Sequence, residues 1–263
     1  MNHSIIVLAR KEFVQMIREY KVIWLPIVFI LLGLTQPVVT YYLPSILEAL
    51  GGGQGITIDS SLTSQKGGEV LASTLGSQFD QLGLMILAIS MMGMIQVDKT
   101  TGMLAFILTR PVTVFSYLGG KLVSNYLIAA ISVALGYLTS YLYVLDLFST
   151  IPFLTMILAL LLYLVWVLFI VSFTMMISTI FHSQSIITLI SIVFLIGCRI
   201  IVNINPVIDL LNPASMSKHA MELLIMGSLE SNVSIHVLIV FVWISLTFFV
   251  SYYWISTKKY HQE

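Results

Sequence analysis

The sequence predicts an all-α integral membrane protein with six transmembrane helices. Three observations carry that prediction. First, 58% of residues are hydrophobic and 9% are charged, with a mean hydropathy of +1.00, whereas soluble domains carry about 25% charged residues. A soluble protein of this make-up lacks the polar surface to stay in water. Second, six mostly apolar runs are each long enough to cross a bilayer as a helix. Third, Lys and Arg concentrate in the segments that one side of the bilayer would share.

The first run covers residues 22–43, with Pro26 near its start and Pro37 at an expected kink. The second covers 79–97 and has the shortest apolar centre, because Asp80, Gln81 and Gln96 sit at its ends. The remaining runs cover 118–145, 152–180, 184–203 and 233–257. Arg10, Lys11, Arg18, Lys21, Lys99, Arg110, Lys121, Lys258 and Lys259 fall before the first run, between the second and third, or after the sixth. Only Lys66 and Lys218 fall on the opposite side, with Arg199 inside the fifth run. This bias places both termini in the cytoplasm. Acidic residues show the reverse bias, with Asp80 counted among those outside.

Residues 4–21 form an amphipathic helix, in which Ile6, Ala9, Phe13, Met16, Ile17 and Tyr20 recur at steps of three and four. A basic amphipathic helix running into a span lies in the headgroup plane. It reads either as a membrane anchor or as an elbow that also touches a cytoplasmic partner. No signal-peptide pattern is expected, because this charged segment leads straight into a run long enough to span. Residues 44–78 form the larger outer loop, rich in Gly, Ser, Thr and Gln, with Gly-Gly-Gly-Gln-Gly at 51–55. Residues 204–232 contain a short helix, with Asn212 as N-cap, Pro213 at the first helical position and Gly227 at the end. Its apolar stripe of Met216, Ala220, Leu223 and Leu224 suits a re-entrant or interfacial helix. His182, between the fourth and fifth runs, reads as a surface loop residue.

Several chemistries are excluded. A zero net charge without clustered Lys and Arg gives no nucleic-acid footprint. No Walker A, H-E-x-x-H or C-x-x-C pattern occurs, and Gly119-Gly120-Lys121 fails as a phosphate loop because Phe115 and Leu122 flank it. Met85, Met91, Met92 and Met94 cluster without Cys or His, so they read as packing rather than copper ligands. Cys198, the single cysteine, reads as a small buried hydrophobe. Arg199 lies close enough to the outer end of its run to snorkel. No acidic chain threads the runs and no repeated halves are visible, so any driving energy comes from another chain.

The segment from Asp98 to Lys121 interrupts this hydrophobic pattern on the basic side. Asp98, Lys99, Thr101, Gly102, Leu104, Leu108, Thr109, Arg110, Pro111, Val112 and Thr113, followed by Gly120-Lys121, resemble the cytoplasmic signature of type-2 ABC transporter permeases. That family reads E-x-x-x-G-T-x-x-x-L-L-(S/T)-x-P-(V/I)-(S/T), then G-K. Asp98 stands where Glu is usual, and Met103 where Thr is frequent. Lys11-Glu12 in the first helix, the six runs, the outer loop and the short outer helix extend the resemblance over the whole chain.

The resemblance implies one permease domain over residues 1–263, the membrane subunit of a bacterial ABC exporter-like system in the cytoplasmic membrane. It implies a coupling helix formed by Asp98, Thr101, Gly102, Met103, Phe106, Ile107, Arg110 and Pro111, lodged in a separate ABC ATPase subunit. Met103, Phe106 and Ile107 supply apolar knobs at helical spacing, Asp98 suits a helix N-terminus, and Arg110-Pro111 ends the helix. ATP and magnesium belong to that partner, and no cofactor or metal is expected on this chain. A second permease half, in the simplest case a homodimer, is implied, with Thr188 and Ser191 as polar candidates along a pathway. The cargo expected is an amphiphile or antibiotic-like molecule. A non-transporting membrane anchor or signalling partner of an ATPase is the alternative.

Overall fold

The computed structural model describes residues 2–51, 66–109, 113–228 and 232–257. The fold is all-helical, with no strand among the described residues, and six helices are long and apolar enough to cross a membrane. Residues 52–65, and with them most of the Gly-Gly-Gly-Gln-Gly stretch, lie outside the described residues.

Helix α1 (Asn2–Arg18) ends in a tight turn where Tyr20 takes a left-handed φ of 57°. The Tyr20 carbonyl accepts from the amides of Ile23 and Trp24, so α2 (Lys21–Gly51) begins at once. It runs through Pro26, Pro37 and Pro44, beyond the expected end at 43. An apolar helix tolerates proline in a membrane when neighbouring groups satisfy the freed carbonyls.

The second span is also longer than the apolar pattern indicated. It runs from Gly67 to Thr100 as α3 (Gly67–Ser73), a π-helical stretch (Thr74–Gly83), α4 (Leu84–Met91) and α5 (Gly93–Thr100). Residues 67–78 look loop-like in composition, yet their hydroxyls are satisfied within the helices. Thr74 shares a 2.9 Å hydrogen bond with Ser140, and the Ser77 hydroxyl donates to the Ser73 carbonyl at 2.6 Å. Polar side chains folded onto backbone or neighbouring helices leave the outer surface apolar enough to span.

The other spans are α7 (Val114–Leu147), α8 (Phe153–Ile180), α9 (Gln184–Ile201) and α12 (Val233–Thr257), with α6 (Met103–Leu108) between the second and third. Helices α2 and α7 meet where both lack side chains. A Cβ on Gly33 would lie 2.0 Å from the Gly136 carbonyl oxygen, and one on Gly136 would lie 2.3 Å from that of Phe29. Small residues permit this close backbone approach in lipid, where tight packing replaces the hydrophobic drive. Helix α8 holds the centre, with Trp166, Val167 and Ile170 fully buried, and Ser172 joins Thr247 of α12 at 2.7 Å.

The helix expected from Asn212 is α11 (Ser215–Met226), and a further short helix, α10 (Pro206–Leu211), precedes it. Asn205 caps α10, its side-chain oxygen accepting from the Val207 amide at 2.9 Å. Asn212 stands in the connecting turn at the entry to α11. Its oxygen accepts from the Ala214 amide at 3.0 Å, and its nitrogen donates to the Cys198 carbonyl at 2.6 Å. Cys198 is only partly buried. Gly227 ends α11 with φ 72° as expected, and Met216, Ala220, Leu223 and Leu224 are buried. Helix α11 packs on α8 and α3, and its 12 residues, about 18 Å, are too short to cross. Helices α1 and α6 lie at one end of the bundle, and α10 and α11 at the other.

Candidate functional site

The chain leaves the second span through a compact turn. The Thr100 and Thr101 hydroxyls fold back onto the Val97 carbonyl at 3.1 and 2.8 Å, ending α5. Gly102 then takes φ 70°, a left-handed conformation in which a side chain is strained. Helix α6 follows with two unlike faces. Leu104 and Ile107 turn into the protein, while Met103 and Phe106 are 39% and 55% exposed. Of the expected docking set, Thr101, Gly102, Met103 and Phe106 are therefore exposed and Ile107 is not. Arg110 and Pro111 lie outside the described residues.

Asp98 is not at a helix N-terminus. It lies late in α5 and is buried, with a carboxylate oxygen 2.9 Å from the Lys121 ammonium and accepting from the Tyr117 hydroxyl at 2.7 Å. Lys121 also pairs with Glu12 of α1 at 3.0 Å, and the Ser124 hydroxyl donates to the Ala9 carbonyl at 3.0 Å. One buried cation thus joins two carboxylates from different helices. Lys21 lies alongside and donates to the Ser90 carbonyl at 2.7 Å and the Asn125 side-chain oxygen at 3.0 Å. Lys21, Glu12, Asp98 and Lys121 all line a small cavity of about 70 Å³. Buried charges persist only when paired and hydrogen-bonded, a condition this group meets.

Lys99, the next residue, reaches the other way. Its ammonium donates to the carbonyls of Thr179, at 2.9 Å, and Phe181. A cation on the last carbonyls of α8 complements the negative end of that helix. Gln96 adds a bond from its side-chain nitrogen to the His182 carbonyl at 2.8 Å. The second span breaks between α4 and α5, and the Ser178 hydroxyl spans the break. It donates to the Met92 carbonyl at 2.9 Å and accepts from the Ile95 and Gln96 amides at 3.1 and 3.0 Å. Helix α6 consequently hangs from a segment fastened to α1, α7 and α8.

The pathway candidates separate. Thr188 lines an open apolar groove of about 570 Å³ with Ile89, Met92, Leu189, Ile192 and Val193, and its hydroxyl contacts the Met92 sulfur at 3.0 Å. Ser191 is fully buried and is not among the residues lining that groove.

At the opposite end, Arg199 is ion-paired rather than snorkelling. Its Nε lies 2.6 Å from a carboxylate oxygen of Asp80. Asp80, expected outside, is 1% exposed, and also accepts from the Tyr163 hydroxyl at 3.1 Å and the Ser217 hydroxyl. The π-helical stretch carries Asp80, consistent with the association of such stretches with functional positions. Among the described residues, no group of three or more His, Cys, Asp or Glu is placed to hold a metal ion.

Glu12, Lys21, Tyr117, Asp80, Tyr163 and Ser217 were not distinguished by the sequence pattern as partners in these clusters. One signal was available for each cluster. Asp98 and Lys121 are opposite charges flanking one loop, and Asp80 and Arg199 are opposite charges at the same end of two spans.

Comparisons with known proteins agree with this architecture. Residues 6–259 match the family described as "ABC-2 family transporter protein". The chain is also similar to a protein of Bacillus subtilis described as "Uncharacterized transmembrane protein YxlG", with 40% identity over 176 residues, or 67% of each chain.

Proposed function

This chain belongs to the ABC-2 transporter family and is a membrane component of an ABC transporter, and on that premise we propose that it exports an amphiphile using a separate ATPase subunit seated on α6. One observation carries the ATPase contact. Met103 and Phe106 are exposed on a short helix whose root is clamped between the Asp98–Lys121 pair and the Lys99 contacts to α8. Apolar knobs on a clamped support deliver displacement rather than absorbing it. ATP and magnesium reside on the partner, which supplies the energy that this chain has no motif to harvest.

In this reading α1 is the elbow helix, lying in the headgroup plane with Ile6, Phe13 and Ile17 toward lipid, a placement supported by their exposure. Both termini and α6 lie in the cytoplasm, following the Lys and Arg bias. A second copy completes the pathway, and the exposed groove at Thr188 is the surface it would share. The bilayer is the bacterial plasma membrane.

The test is co-purification of the tagged chain from its own host with an ABC ATPase subunit, followed by ATP hydrolysis in nanodiscs. Wild-type chain is expected to recover the ATPase and alter its rate. Phe106→Asp is expected to insert normally and to lose that effect. A wild-type chain that recovers no ATPase subunit overturns the transporter mechanism and leaves the membrane-anchor alternative.

A further inference from the structure

Arg199 is the only basic residue in α9, and its ion pair leaves much of its hydrogen-bonding capacity unused. Both oxygens of Asp80 are occupied, one by the Tyr163 hydroxyl and the other by the Ser217 hydroxyl and Arg199 Nε. The guanidinium carries five N–H donors in a planar fork. Asp80 takes only the Nε edge, and Nη2 has the Met221 sulfur, a weak acceptor, at 3.8 Å. The carboxylate is 0% exposed while the Arg199 side chain is 20% exposed. Gly76 lets the Met221 sulfur pack close beside the guanidinium, since a Cβ there would lie 2.8 Å from that sulfur and 3.9 Å from Nη2.

The same face of α9 leads to the groove. Thr188, Ile192 and Arg199 follow at steps of four and seven residues, which align on one side of a helix. Thr188 and Ile192 line the apolar groove of about 570 Å³ against Ile89 and Met92 of the second span. Arg199 lies about 10 Å further along the axis than Ile192. An open apolar groove with a guanidinium about two turns beyond it on the same helix face is the layout of a site for a molecule with one charged end.

We propose that Arg199 and this groove form one binding site for an amphiphile with an anionic head, a phosphate or carboxylate, whose apolar chain lies between the second and fifth spans. Arginine's fork matches both heads. Tyr163 and Ser217 hold Asp80 inward, so its charge orients the guanidinium without facing the incoming anion. Occupancy of the site stands on this geometry alone; its identity as the cargo site rests on the transporter reading.

The test uses the purified full chain in neutral detergent, titrated with fluorescent phosphatidylglycerol. Saturable binding is expected, with a diacylglycerol of the same chains binding about tenfold more weakly or worse. Asp80→Asn/Arg199→Gln removes both charges together and leaves no unpaired buried charge. It is expected to weaken phosphatidylglycerol about tenfold, as is Ile192→Trp, which fills the groove and spares the ion pair. Arg199→Lys, which keeps the charge and loses the fork, is expected to show a smaller loss and serves if the double variant does not fold. Unchanged affinity in Ile192→Trp, and in the folded Arg199 variant used, overturns the proposal. Displacement of the lipid by millimolar inorganic phosphate also overturns it, by reducing the site to one for a free anion. Because no ATPase is needed, the two readings fail separately. Lipid binding without a recoverable ATPase removes the transporter mechanism and keeps the site, while ATPase recovery without lipid binding does the reverse.

Discussion

Asp98 and Lys99 are consecutive, yet their charges engage two different helices. Asp98 lies 2.9 Å from Lys121 of α7, and the Lys99 ammonium lies 2.9 Å from the Thr179 carbonyl at the end of α8. A helix held by two different neighbours at adjacent residues cannot rotate about its axis without losing one contact. The Asp98–Lys121 side is the costlier to break because both charged ends are buried.

Lys121→Met preserves side-chain length and removes the cation between Glu12 and Asp98. Breaking a buried ion pair by deleting one partner costs about 3–5 kcal/mol. The variant is expected to show a large drop in thermal midpoint in detergent. Combining it with Asp98→Asn, which removes one of the stranded carboxylates, is expected to recover part of the loss. Equal stability of the single variant and wild type would show that the cluster does not hold α1 and α5 to α7.

Gly136→Ala places a methyl group 2.3 Å from a backbone oxygen of α2, a contact that no rotamer relieves. Overpacking of this kind costs about 1–3 kcal/mol or more. Gly119→Ala, where nothing lies within 4 Å, is the matched control and is expected to be neutral or mildly stabilising. Thermal unfolding of the two variants side by side checks the α2–α7 contact.

Ser178→Ala removes a hydroxyl that serves one carbonyl and two amides of the second span. Leaving buried backbone groups unpaired costs about 1–3 kcal/mol. Amide hydrogen exchange is expected to accelerate at residues 92–96 and to remain unchanged at the buried centre of α8. Uniform acceleration would instead mark a global loss of stability.

Gly102→Val forces a β-branched residue into φ 70°, where the penalty is about 1–2 kcal/mol. The space around Gly102 is open, with nothing within 4 Å of where a Cβ would stand, so any effect comes from the backbone alone. The expected outcome is an intact bundle with a displaced α6. Unchanged thermal unfolding together with faster proteolysis between residues 100 and 109 is the signature to look for.

The spans were legible because lipid demands long apolar helices, and that demand is written directly in composition. The helix Gly67–Ser73 and the π-helical stretch were less legible. Their Ser, Thr and Gln side chains resemble a loop until Ser140, Gln36 and the backbone carbonyls that satisfy them come into place. Gly227 was readable as a helix end because a left-handed residue there favours glycine. Asn212 was readable as the entry to α11, where its side-chain oxygen accepts from the Ala214 amide, but the Cys198 carbonyl that accepts from its nitrogen was not.

At the candidate site, exposure of Met103 and Phe106 followed from an apolar motif in a polar segment. The inward turn of Ile107 did not, since a six-residue helix carries too few positions to define a face. Lys121 stood in a recognisable Gly-Lys pair, but its partner Glu12 is more than a hundred residues away in sequence. Arg199 was visible as an intramembrane charge. Its pairing with Asp80 depended on the second span being longer than its apolar centre.

The break between α4 and α5 lies where the second span borrows a hydroxyl from the fourth. An interrupted helix is ordinarily the softest point of a span, but this one is mended by a residue of its neighbour. Flexing there strips Ser178 of three partners together, so the stiffness of the second span at that height is a property of two chain segments. A cargo or drug wedged between the second and fourth spans at Ser178 would unlock a joint without touching α6.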